Sequence, residues 1–136
     1  EFVTKADSGG TAGLWDFVGT GEMSAVGMAA LSPNLVVCAS ASSSATACSN
    51  GDAIASTVTV VFYSIGRDGS SFTSLDQKEN AGEVTNSTFG GHAIATDDVF
   101  VSHGISTLAG GEFDDNVAWL SAQVLYAQMM QARHLP

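Results

Sequence analysis

The segment that most constrains this chain is Thr57-Val58-Thr59-Val60-Val61-Phe62-Tyr63, seven consecutive β-branched or aromatic residues. Such side chains lose rotamer freedom in a helix and pack well on a pleated surface, so the segment predicts a strand. At a period of two, Val58, Val60 and Phe62 fall on one face and Thr57, Thr59, Val61 and Tyr63 on the other. Both faces turn apolar toward the end, which predicts a central strand. The run Gly66-Arg67-Asp68-Gly69-Ser70 then forces the chain to turn.

Weaker elements flank it. Leu35-Val36-Val37-Cys38 reads as a short strand after a Ser32-Pro33-Asn34 turn, and Val99-Phe100-Val101-Ser102 as another. Leu108 to Glu112 reads as a glycine-rich turn. Residues 116–120 predict a strand, and Ser121 caps a helix over 121–132 whose stripe is Val124, Leu125, Met129 and Ala132. Arg133 and His134 sit where cations favour a helix end, and Pro136 closes the chain. A continuous helix from Asp115 to Ala132 is the rival reading. Residues 1–20 read as an irregular lead-in, with 14–18 a short helical turn or a strand, and 22–30 are ambiguous. Residues 70–96 form a polar excursion too long for an ordinary connector.

A length of 136 residues fits one domain spanning 1–136, with one modest core. Charged residues are only 13%, against roughly 25% in an average soluble domain. Four basic residues against 14 acidic give a net charge of −10, which disfavours nucleic acid and anionic lipid as partners. Lys5, Arg67, Lys78 and Arg133 form no run. No stretch approaches the roughly 20 apolar residues that span a bilayer. Cys38 and Cys48 bound a small-residue insert without Pro or Gly, in which nothing would hold a hairpin shut. A disulfide there, preferred over free thiols or a metal site, contributes roughly 2.5–3 kcal/mol on the chain-entropy model and implies an oxidising compartment.

Catalytic constellations are hard to find. His92, His103 and His134 accompany many serines but no Gly-x-Ser-x-Gly elbow, so each reads first as a loop or terminal residue. Only His103, beside a strand end, invites a test for a serine and a carboxylate in reach. Gly19-Thr20-Gly21 lacks the third glycine of a dinucleotide fingerprint, since Ser24 stands there. Carboxylates cluster at Asp68, Asp76 and Glu79, at Asp97-Asp98 and at Asp114-Asp115. Turn capping is the preferred reading; calcium held by Asp68, Asp76, Glu79 and Asp98 is the alternative, with no other cofactor expected. Trp15, Trp119, Phe62, Phe100 and Phe113 read as core.

From Cys38 onward the chain resembles the type IV pilin-like proteins, minor pilins and pseudopilins. The resemblance rests on the cysteine-bounded insert and on the apolar strand ending Val60-Val61-Phe62-Tyr63-Ser64-Ile65-Gly66-Arg67-Asp68-Gly69. It continues through Asp76-Gln77-Lys78-Glu79-Asn80, Asp98 to His103, Glu112 to Ser121 and the terminal Leu135-Pro136. Ala122 departs from it, because a Pro often stands there in the family.

That resemblance implies an α+β head, an antiparallel sheet of about four strands with a short C-terminal helix. It also implies a hydrophobic N-terminal helix, processed and methylated by a prepilin peptidase, that anchors the subunit in the inner membrane and later forms the filament core. Glu1-Phe2 has the form of a cloning scar, which fits a trimmed chain. The role implied is non-enzymatic: a filament subunit that partners other pilin subunits and the pilus assembly machinery, in an extracellular pilus or periplasmic pseudopilus. Two loops are expected at the filament surface: the insert 38–48 with Ser42, Ser43 and Ser44, and the excursion 70–96 with Glu79 and Asn80. A secreted adhesin or ligand-binding β domain is the alternative, and a small secreted hydrolase a third.

Overall fold

A computed structural model describes residues 33–49, 51–67, 72–82 and 98–133, and the backbone alone of 3–6. Its elements are β1 (Val3–Ala6), β2 (Leu35–Cys38), β3 (Ala53–Ser64), α1 (Leu75–Asn80), β4 (Val99–Val101), β5 (Ser106–Leu108), β6 (Gly111–Phe113), β7 (Asn116–Ser121) and α2 (Ala122–Gln131).

The strand expected to be central is central. β3 pairs antiparallel with β1, β2 and β7. Residues Val60 to Tyr63 have partners in both β1 and β7, so these two flank β3 on opposite edges. Val58 is shared in the same way between Leu35 and Ser121, which sets β2 end to end with β1. β4 then adds beyond β2 in parallel, Val36 opposite Val99 and Cys38 opposite Val101. The class is the expected α+β, a mostly antiparallel sheet with a C-terminal helix. Residues 108–112 are more than a turn. They close a separate hairpin of β5 and β6, with Gly110 at φ +77° in its two-residue loop.

The predicted faces of β3 hold only beyond an irregularity. The register with β7 shifts between Val58 and Val60, which leaves Thr59 as the extra residue. Its hydroxyl donates to the Leu120 carbonyl at 2.9 Å, inside the interrupted ladder. Val58 is therefore buried together with Val61 and Tyr63, while Val60 and Phe62 point the other way. Leu35, Val37, Val58, Val61, Tyr63 and Phe100 form the core, with the Tyr63 and Phe100 rings 5.3 Å apart. Each large side chain buried there stabilises the fold by about 1.5–3 kcal/mol.

The aromatic expectation needs correction. Phe100 and Phe113 are core, but Phe62 is 44% exposed and Trp119 lies on the margin. Parity is the reason for Phe62, since it follows Val61 and precedes Tyr63 on a strand whose other face the described residues leave open. Trp15 lies outside the described residues.

The break between strand and helix falls where the sequence placed it. β7 pairs with β3 residue by residue up to Ser121, which rules out a helix running from Asp115. Ser121 is extended at φ −72° and ψ 153°, and its Oγ accepts from the Val124 N–H at 3.5 Å. Ala122 is then the first helical residue, the position where proline is best tolerated. Arg133 closes the helix at φ +58°, its N–H bonded to the Met130 carbonyl.

Candidate functional site

Chemistry-bearing side chains gather around α1, between the disulfide loop and the β5–β6 hairpin. Cys38 and Cys48 are bonded, with Cα atoms 5.5 Å apart. The loop between them is held by its own hydroxyls. Ser42 Oγ donates to the Ala47 carbonyl at 2.7 Å, meets Ser49 Oγ at 3.2 Å and accepts from the Ser44 N–H at 3.1 Å. Ser44 Oγ accepts from the Thr46 N–H at 3.3 Å. These hydroxyls replace the missing Pro and Gly as turn formers. Ser42 is consequently buried, against its expected display; Ser43 is exposed and Ser44 half-buried. The loop is tied to the sheet where Ala45 O accepts from the Asp98 N–H at 2.7 Å.

Glu79 and Asn80 also contradict their expected display, because both are fully buried on α1. The helix is inverted in polarity. It buries Gln77, Glu79 and Asn80 and leaves Leu75 66% exposed. Asn80 explains the inversion. Its Oδ1 accepts from the Val101 N–H at 2.7 Å, and its Nδ2 donates to the Val101 carbonyl at 3.0 Å. One side-chain amide thus pairs with the strand edge that β4 turns away from β2, as a further strand would. Nδ2 also donates to Asp115 Oδ2 at 2.8 Å. Gln77 Nε2 donates to Asp114 Oδ1 at 3.2 Å, and Asp114 Oδ2 accepts from the Arg67 N–H at 2.9 Å. Gly66 has φ +65°, and a Cβ there would overlap the Asp114 carboxylate. Only glycine lets the 66–67 turn close over that carboxylate.

α1 and its network were missed by sequence reasoning. Ser74 and Gln77 stand at the spacing of a capping box, and Ser74 Oγ accepts from the Gln77 N–H at 3.1 Å. That spacing was available as a signal. The inward polarity was not, because no periodicity marks a helix whose partner is a strand edge.

His103, singled out earlier, does find a carboxylate. Its Nε2 lies 3.1 Å from Asp76 Oδ2, and its Nδ1 lies 2.8 Å from the Gly104 carbonyl. The ring stacks on Phe113 with centroids 3.8 Å apart. Both nitrogens face acceptors, so neither is aimed at a hydroxyl as a general base must be. Asp76 Oδ1 is engaged as well, accepting from the Ala41 N–H at 2.7 Å. Asp76 therefore ties the disulfide loop, α1 and the β4–β5 corner together. Beside them a cleft of about 210 Å³ is lined by Arg67, Ser106, Thr107, Glu112, Phe113 and Asp114. Glu112 Oε2 accepts from Thr73 Oγ1 at 2.6 Å and from the Gly110 N–H at 3.0 Å. The Thr73 hydrogen bond foremost holds its carboxyl below the usual carboxylate range.

Of the residues considered for calcium, Glu79 is buried on α1. Asp98 Oδ2 accepts from Asn34 Nδ2 at 2.7 Å at the start of β4, Asp76 is engaged as above, and Asp68 lies outside the described residues. Among the described residues no three His, Cys, Asp or Glu side chains gather as a metal site. His92 and His134 lie outside the described residues. Among the described residues no helix is long and apolar enough to cross a membrane. No protein-family model, curated protein or solved structure matches the chain.

Proposed function

We propose that this chain is the head of a type IV pilin-like subunit, a non-enzymatic building block that assembles into a filament of the cell envelope. The observation that carries the reading is apolar surface on β3, β7 and α2 that the described residues leave uncovered. Phe62 of β3 and Val124 and Met130 of α2 are exposed, and so is Trp119 of β7, which pairs with Val61 and therefore lies on the opposite face of the sheet from Phe62. In α2 only Ala122 is buried, although most of that helix is apolar. Surface of this kind marks an interaction site. A hydrophobic N-terminal helix and neighbouring heads are what the resemblance offers to cover it. The disulfide fits assembly outside the reducing cytoplasm.

Expression of the full-length gene product in a piliated host tests the reading. The subunit should appear in sheared surface filaments with an N-methylated first residue, and should disappear from them in a strain lacking prepilin peptidase. Recovery as a free monomer, indifferent to that peptidase, would sink it. The cleft beside Arg67 is the feature that favours the alternative, a ligand-binding β domain, and a saturable glycan signal at Arg67 and Glu112 would support it.

A further inference from the structure

The two lateral margins of the β2–β3–β7 region are finished differently, and the difference singles out a surface. On the β4 side, the amide of Asn80 occupies the outer edge at Val101. On the β7 side no strand lies beyond Asn116–Ser121 among the described residues. The direction of its free groups follows from one contact. The Leu120 carbonyl faces β3, where Thr59 Oγ1 donates to it at 2.9 Å. In an antiparallel ladder the N–H and C=O of one residue point the same way and alternate along the strand. The N–H and C=O of Val117 and Trp119 therefore point outward. β7 carries none of the usual devices against edge pairing: no Lys, no Pro and no charge of either sign.

We infer that the outer edge of β7 is a docking edge for the β7 of a second copy, antiparallel across a two-fold axis. Three observations select that occupant. With Ala118 opposite Ala118, the outward groups of Val117 meet those of Trp119 in the other copy, which gives a self-complementary set of hydrogen bonds. The central pair is then of the non-hydrogen-bonded kind, with Cα atoms only about 4.5 Å apart. Ala118, small and exposed, admits that close approach without a clash. Finally, two chains of net charge −10 repel, so they can meet closely only where neither carries charge, and β7 is such a place. In the filament reading this edge joins heads across a two-fold axis, which pairs subunits of neighbouring filaments; the inference goes beyond assembly of a single filament.

Sedimentation velocity on the 136-residue chain, from micromolar to millimolar protein, tests the inference. The expected result is a reversible association that stops at two copies and strengthens with added salt. Ala118→Lys, which sets two like charges face to face, should raise the dimer dissociation constant about tenfold or more. Gln128→Lys, the same charge change on an exposed face of α2, should leave it within about twofold of a Gln128→Met control. Amide exchange on the unmodified protein gives a second readout: protection at Val117 and Trp119 should grow with concentration. A chain monomeric at millimolar concentration, a dimer indifferent to Ala118→Lys, or growth past two copies would each overturn the inference and leave the single-filament reading standing.

Discussion

The two helices depart from ordinary amphipathic design in opposite directions. α1 is six residues long and buries Gln77, Glu79 and Asn80, whereas α2 is ten residues long and buries only Ala122. A helix normally buries an apolar stripe and wets a polar one. α1 inverts that pattern because its partner is the unfinished edge of β4 and the carboxylates of Asp114 and Asp115, which require hydrogen bonds. α2 leaves its apolar residues outside because nothing among the described residues covers them. The polar helix closes a sheet edge, and the apolar one is left open by the described residues. Stability should therefore concentrate around α1 and association around α2.

The largest expected effect breaks the α1 side. Asn80→Ala removes an acceptor and a donor from Val101 and a donor from Asp115, all in buried surroundings. Each buried group left without a partner costs about 1–3 kcal/mol, so the N–H and C=O of Val101 put the expected loss near 3–4 kcal/mol in urea unfolding. Asn80→Asp should cost nearly as much, because a carboxylate cannot donate to the Val101 carbonyl. A loss below about 1 kcal/mol would mean that water replaces the amide easily, and the contrast between the helices would dissolve.

How much of this was legible follows from what each element depends on. β3 and the Ser121 break were legible because propensity, alternation and capping act within a few residues. The parallel pairing of β4 with β2 was not, because it joins segments about 60 positions apart and leaves no local trace. The shift at Thr59 escaped for a related reason. A bulge reverses facing without altering composition, and the Thr57 φ of +56° that precedes it is rare for a β-branched residue. At the site, the disulfide pair was legible and its internal serine scaffold was not. Ser42, Glu79 and Asn80 are expected at the surface because the resemblance places their two loops on the outside of a filament. Their burial depends on partners at Ala47, Val101 and Asp115, which only the folded chain brings near.

An intermediate effect sharpens the comparison by testing the sheet that both helices lean on. Tyr63 packs against Phe100, and burial pushes its phenol up to about 12. The folded value lies above the unfolded value of about 10, so the stabilisation is complete below pH 10 and is lost as pH rises toward 12. Two units correspond to about 2–3 kcal/mol at full deprotonation. Unfolding free energy should fall over that window, and Tyr63→Phe should flatten the decline there. An equal decline in the Phe variant would place the alkaline sensitivity elsewhere.

The smallest expected effect on stability lies on α2, and it is the one that decides what the helix is for. Met130 is 47% exposed and Val124 is similarly open, so Met130→Gln and Val124→Ser remove little buried area from the isolated head. Each should change its unfolding free energy by less than about 0.5 kcal/mol, within the range of ordinary surface substitutions. If α2 is a surface awaiting cover, the same variants introduced into the full-length subunit should lower the yield of sheared filaments while the heads stay folded. The opposite pairing of results, a destabilised head with undiminished assembly, would mean that α2 already has its partner within this chain. In that case the exposed apolar surface of α2 would be part of the chain's own packing, and the filament reading would lose the observation that carries it.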